Sequence, residues 1–240
     1  MIALNTQIEA YLKEPDRLKY HQKELIEIIT NRINPNSSGE ALDIGCATGA
    51  LIRNLSTILE KYNFTGFDKS KDLIDCAKKL NNNASSNFFA GDVNSIKFDK
   101  KFNFICAVGV LSIFDDLETP LKKWLSWLND DGILYLFGGF NKRDIDTRIL
   151  FRNNTVQQPQ WEGGLTSYSV KTTTRVLKKL GYKCNFKKFH LPIDLKEDLD
   201  NPIRTYTETT TTGEKLILCG ANVVREKFFV TIEKDQDLEN

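Results

Sequence analysis

The chain has 240 residues, of which 40% are hydrophobic and 27% charged, a balance that excludes wholesale disorder, a collagen-like repeat and a membrane-embedded protein. Lys plus Arg number 33 against 32 for Asp plus Glu, a net charge of +1, so the basic excess typical of a nucleic-acid binder is missing. No run approaches the ~18 apolar residues of a transmembrane helix, and the first 25 residues become charged too early for a signal peptide, so a cytoplasmic protein is expected. The five cysteines never form CxxC and there are only two histidines, which predicts reduced, structural thiols and no zinc site or other metal.

In chain order, residues 17–33 carry Leu18, Leu25, Ile26, Ile29 and Ile33 at helical spacing, closed by Asn34-Pro35. Glu40 to Ile44 is a short apolar strand that turns at Gly45. Leu51, Ile52, Leu55, Ile58 and Leu59 make the next helical face. Phe64 to Phe67 is a strand ending in Asp68, and Leu73, Ile74, Ala77 and Leu80 form a further helical stripe. Asn87 to Ala90 is a strand ending in Gly91-Asp92, and Phe102 to Val110 is another. Thr119-Pro120 reads as N-cap and first helical position, before Leu121, Trp124, Leu125 and Leu128. Asn129 to Gly132 reads as a turn into the strand Ile133–Phe137. Strand and helix alternate through this region, and the strands are continuous apolar runs. That pattern predicts an α/β fold with a doubly wound parallel sheet.

Beyond Gly139 the alternation breaks. Residues 140–168 are polar and read as a long loop; Val170 to Leu180 is a helix closed by Gly181; Tyr182 to Phe189 is a sixth strand. Residues 204–207 and 215–218 flank a Gly-containing turn and read as a hairpin, and Lys227 to Ile232 is a last strand.

The chemistry lies at the carboxyl ends of the strands, where open α/β sheets bind ligands. Asp43-Ile-Gly45-Cys-Ala47-Thr-Gly49 joins a strand to a helix; its glycines admit a ligand to the backbone and the helix amino terminus offers free N–H groups. Asp68 is placed to accept both ribose hydroxyl hydrogens, and Asp92 to receive the amino group of an adenine. These segments resemble those of class I S-adenosylmethionine (SAM)-dependent methyltransferases. The first loop is similar to the family's Asp-x-Gly-x-Gly-x-Gly motif, with Ala47 at the middle glycine, where alanine fits if its φ is negative. Phe67-Asp68-Lys69-Ser70 with Leu73 resembles the ribose-binding segment, and Ala90-Gly91-Asp92-Val93 the adenine-binding one.

The resemblance implies a Rossmann-like, seven-stranded, mostly parallel sheet whose last strand is antiparallel, binding SAM and releasing S-adenosylhomocysteine (SAH). Residues 36–234 are the expected methyltransferase domain, 1–35 an amino-terminal helical lid, and 235–240 a tail. In the lid, Tyr11, Arg17 and Tyr20 are candidates to meet the methionine part of SAM. A nicotinamide dinucleotide fits less well, because G-x-G-x-x-G needs glycines where Ala47 and Ala50 stand. Gly109-Val-Leu-Ser112 stands where base-amine methyltransferases carry Asn/Asp-Pro-Pro-Tyr, which weighs against a nucleic-acid substrate and makes Gly109 a cofactor-side residue.

His190, after the sixth strand, and Asp115, after the fourth, are candidate general bases. Asp115 or Asp116 equally suits a helix cap. The cap elements, 140–168 and 191–220, carry Arg148, Arg152, Trp161, Arg204 and Tyr206, which suit a polar acceptor bearing phosphate or carboxylate, such as a small molecule, a glycan or a peptide terminus. O-methylation is the expected reaction. A catalytically silent SAM-binding partner subunit and an aminopropyl transferase on the same fold are the alternatives, the latter requiring an acidic pair such as Asp115-Asp116.

Overall fold

The computed structural model describes residues 2–81, 83–155 and 157–236; residue 1 of the expected lid and residues 237–240 of the expected tail lie outside them. Two helices, α1 (Ile2–Lys13) and α2 (Tyr20–Thr30), precede β1 (Gly39–Ile44), α3 (Ala50–Ser56), β2 (Tyr62–Asp68), α4 (Lys71–Leu80), β3 (Ser86–Ala90) and β4 (Phe102–Val108). A single 3-10 turn (Leu111–Ile113), α5 (Glu118–Leu125) and the long β5 (Leu128–Asn141) follow. Next come β6 (Thr147–Arg152), β7 (Trp161–Ser169), α6 (Val170–Lys179) and β8 (Tyr182–Lys188). The chain closes with β9 (Thr205–Thr209), β10 (Lys215–Cys219), β11 (Val223–Val224) and β12 (Lys227–Lys234).

The main sheet has the order β3-β2-β1-β4-β5-β12-β8. Strands β1 to β5 pair in parallel, and β12 is antiparallel to both β5 and β8. Hence β8 runs with the parallel strands and the expected seven-strand order is observed, but β6 and β7 join the sheet beside β5 and bring it to nine strands. Successive side chains leave opposite faces of a strand. Leu42 and Ile44 therefore pack with Phe102, Trp124 and Leu134 on one face, while Ala41 packs with Leu25, Ile29, Leu51 and Phe64 on the other. Each face is roofed by helices, which is why the strands read as unbroken apolar runs. Among the described residues no helix is long and apolar enough to cross a membrane.

Four local expectations are corrected. Residues 140–168 are not a loop: β6 and β7 form an antiparallel hairpin, and β7 continues beside the end of β5 through Phe140 and Tyr168. Along β6 exposed and half-buried positions alternate, so its solvated polar face hid the strand period. Asn129–Gly132 is not a turn but part of β5, at a register shift opposite Phe102 and Phe104; a Cβ on Gly132 would lie 2.9 Å from the carbonyl oxygens of both Asn129 and Phe102. Helix α5 begins at Glu118, before Thr119, because the Asp116 carboxylate accepts the N–H groups of Glu118 and Thr119 at 3.1 and 3.0 Å. Ile58 falls beyond the end of α3 and is exposed. The 204–218 hairpin forms as β9 and β10, extended by β11 into a small three-stranded sheet.

Candidate functional site

The loop between β1 and α3 is built on left-handed backbone. Gly45, Ala47 and Gly49 have φ of 70°, 48° and 72°. The negative φ that the sequence required of Ala47 is not found. An L-residue in this region costs roughly 1–2 kcal/mol, and neighbouring strands hold the loop against that strain. The N–H groups of Gly45 and Cys46 donate to the Phe67 carbonyl at 2.8 and 3.0 Å, and the Ala47 N–H donates to Asp68 Oδ2 at 3.1 Å. A Cβ on Gly45 would lie 2.7 Å from Val110 Cγ2, so glycine is required there on steric grounds as well.

Asp68 sits at the end of β2, its Oδ1 accepting the Ser70 N–H at 2.9 Å. Each carboxylate oxygen keeps a lone pair for a further donor, as ribose recognition requires. Asp43 is buried beneath the loop, and burial, with the Asp68 charge adding, pushes its carboxyl up to about 8. Burial thus favours the protonated form of Asp43 over the carboxylate. Asp92 accepts from the Asn94 backbone and side-chain nitrogens at 2.9 and 3.0 Å and pairs with Lys69 Nζ at 3.2 Å. The Asn94 N–H and the Lys69 ammonium hold the Asp92 carboxyl below the usual range. Leu73 is buried on α4 and Val93 is half-buried against the core. Gly109, at φ 75°, donates its N–H to the Phe137 carbonyl at 2.7 Å, and open space lies where its Cβ would be. These residues fit SAM: acids stand at or just beyond the ends of three successive strands, beside a left-handed loop and an exposed glycine with open space over its Cα.

The segment between α1 and α2 lies on this loop. Thr48 Oγ1 donates to the Pro15 carbonyl at 2.8 Å, and Arg53 pairs with Asp16 at 3.3 Å. Of the lid candidates, Arg17 is exposed and pairs with Glu14. Tyr11 carries the Lys19 ammonium 3.6 Å from its ring centre, and Tyr20 is exposed beside Lys23.

His190 is exposed, directly after Phe189 at the carboxyl end of β8. Asp115 and Arg148 are brought together, 3.0 Å apart. Arg152 lies over the Trp161 ring at 5.4 Å, Arg204 pairs with Asp198 at 3.7 Å, and Tyr206 is half-buried on β9 opposite Leu218. The Asp115–Asp116 pair is not a free acidic cluster, since Asp116 is occupied as a helix cap.

Sequence reasoning missed His21. Its ring stacks on Phe137, centroids 4.4 Å apart and planes 1° off parallel, and meets the edge of Phe189 at 6.2 Å. Burial, then the charges of Lys19 and Lys227, bring its pKa down to about 3, so it is neutral at physiological pH. The available signal was its place four residues before Leu25, on the apolar face of α2. Among the described residues no group of three or more His, Cys, Asp or Glu is placed to hold a metal ion.

A family model described as a methyltransferase domain matches residues 18–185. The chain is similar to the malonyl-[acyl-carrier protein] O-methyltransferase of Bacillus anthracis, 27% identical over 118 residues, covering 49% of this chain and 44% of that one. It is also similar to the (S)-coclaurine N-methyltransferase of Papaver somniferum, 25% identical over 129 residues, covering 52% of this chain and 37% of that one. Each match thus covers less than half of the relative's length. Among solved structures, the DhpI-SAM-HEP complex aligns with a TM-score of 0.63 at 16% identity over 96% of both chains, a likeness of fold.

Proposed function

We propose an acceptor class for this enzyme, which belongs to the methyltransferase-domain family and is a SAM-dependent methyltransferase: it methylates an oxygen on a polar small molecule. The observation that carries the proposal is the position of His190, exposed at the end of β8 on the same sheet edge as the open space at Gly109. The malonyl-carrier relative, an O-methyltransferase by name, supports an oxygen acceptor.

When bound, SAM supplies an electrophilic methyl group on a sulfonium, which the acceptor oxygen takes in line as the thioether leaves. Asp68 holds the ribose, Asp92 the adenine amino group, and the Gly45–Gly49 backbone the methionine part. A positive charge brought near Asp43 favours its carboxylate form, the proton being released to solvent. The 1–35 segment, tied down through Thr48 and Pro15, excludes water from the sulfonium. Holding the acceptor at near-attack distance supplies ~7–11 kcal/mol of the barrier. His190 takes the proton of a hydroxyl acceptor; a carboxylate, already ionised, needs no base.

The test is a screen of cell-extract metabolite fractions with methyl-labelled SAM. Label in an ester or ether supports the proposal, and label only in an amine overturns it. No turnover beside intact SAM binding marks a silent subunit. Protease cleavage within residues 1–30 should slow when SAM is added, and unchanged cleavage counts against the lid.

A further inference from the structure

Lys227 opens β12 opposite Gly139 of β5, and because β12 is antiparallel its first residue lies at the carboxyl edge of the sheet. Two residues along the same strand, Phe229 packs against Phe137 and Phe189, with centroids 4.9 and 5.7 Å apart. Residues i and i+2 share a face, so Lys227 projects on the face where His21 covers Phe137. Its backbone carbonyl accepts the Phe189 N–H at 2.8 Å, which sets it one residue from His190. Arg225 precedes it, fixed by an N–H bond to the Ile217 carbonyl of β10 at 2.7 Å. The titratable groups acting on this spot are His21 and Lys19 from the α2 end, Arg225, and the fully buried Cys219 of β10.

Neighbouring cations have acid partners. Lys187 pairs with Glu24 at 2.8 Å, Lys188 with Glu226 at 3.2 Å and Lys215 with Asp194 at 2.8 Å. Among the described residues no acid pairs with Lys227 or Arg225. Both are half-buried. Burial, with the Arg225 charge adding, holds the Lys227 ammonium down to about 7, and burial also lowers Arg225. Lys227 and Arg225 lie two residues apart, on either side of Glu226, which pairs with Lys188 instead; two half-buried basic groups without an acid partner are costly to charge, and an anion within reach of both relieves them.

We propose that Lys227 and Arg225 form an oxyanion subsite on the acceptor half of the carboxyl edge, and that the methyl acceptor carries a carboxylate or phosphate group held there. His21, Phe137 and Phe189 wall the subsite with aromatic rings. The identity of the ligand as the methyl acceptor rests on the methyl-transfer reading; the anion affinity itself does not.

The experiment titrates the full chain, loaded with SAH, with inorganic phosphate or malonate at constant ionic strength against chloride. Thermal unfolding and calorimetry are the readouts, and SAM affinity is measured in parallel. Phosphate or malonate should raise Tm above the chloride control. Lys227→Met and Arg225→Met, which keep the apolar stem, should each weaken anion binding on the order of tenfold or more, and Lys71→Ala, at an exposed side chain of α4, should not. A phosphate response alone assigns a phosphate-bearing acceptor, and a malonate response alone a carboxylate. The wild-type titration decides even if a variant fails to fold: no rise with either anion overturns the subsite. Equal anion affinity in folded Lys227→Met also overturns it. SAM binding without anion binding removes the subsite and leaves methyl transfer standing, whereas anion binding without SAM binding does the reverse.

Discussion

The carboxyl edge of the sheet has two halves of opposite character. At the ends of β1, β2 and β3 stand Asp43, Asp68 and Asp92, around a left-handed loop fixed by backbone hydrogen bonds. Around the ends of β5, β12 and β8 stand His21, Lys227, Arg225 and His190, among aromatic rings. The first half is continuous in sequence, each acid lying within two residues of the end of its own strand. The second is assembled from the amino-terminal helix, the middle of the chain and its last strand. A site that grips one cofactor can be encoded locally. A site that selects an acceptor draws on elements that meet only after folding, and its cations have no acid among the described residues to balance them.

The largest expected effect lies on the acceptor half. With a hydroxyl acceptor, His190→Ala should lower kcat by ~10²–10⁴ and leave SAM affinity unchanged in calorimetry. If SAM affinity fell as well, the division into halves would be broken. With a carboxylate acceptor the same substitution should cost little, and Arg204→Ala should then raise KM more than it lowers kcat if the β9–β10 cap holds the substrate.

On the cofactor half, Asp68→Ala should weaken SAM by roughly 1.5–3 kcal/mol, the worth of charge-assisted hydrogen bonds, and it also removes the acceptor of the Ala47 N–H. Unchanged SAM affinity would refute the ribose assignment. The parent protein should bind SAM and not NAD.

The halves should also respond to pH with opposite sign. Asp43, raised to about 8, binds its proton in the folded state but not in the unfolded one, so its contribution to stability falls as pH rises from about 4 to 8. His21, lowered to about 3, is neutral when folded and protonated when unfolded below its ordinary pKa. Its contribution is therefore lost as pH falls from 6.5 toward 3. His21→Phe, which keeps a ring over Phe137, should flatten the acid limb of a urea-midpoint profile by up to roughly 1.4 kcal/mol per pH unit. An unchanged acid limb would mean that His21 is not neutral in the folded state.

The smallest expected effect is that of Ala47→Gly. Relief of the left-handed strain, ~1–2 kcal/mol, is partly offset by the greater freedom of glycine in the unfolded chain, about 0.4–1 kcal/mol. The net should be a gain between about 0 and about 1.6 kcal/mol in chemical denaturation, with SAM affinity kept or improved. A destabilised variant would show that the loop relaxes Ala47 out of the left-handed region in solution.

The family resemblance supplied the reversed last strand, while the alternation of strands and helices, the parallel sheet and the three candidate acids were legible in the chain itself. Each of these is a short-range property: apolar runs mark strands buried on both faces, and a loop's glycines and acids lie within a few residues of the strand they end. Only the folded packing fixed the sign of φ at Ala47, because the Asp68 carboxylate that accepts its N–H, and the Phe67 carbonyl that accepts those of Gly45 and Cys46, belong to another strand. It also turned residues 140–168 into a hairpin, through pairing with the end of β5. And it brought His21, Lys227 and Arg225, some two hundred residues apart in the chain, onto one edge beside Phe137. No local pattern announces such a cluster, because its desolvation and its missing counter-charges exist only once the helix, the last strand and the small cap sheet have closed around it.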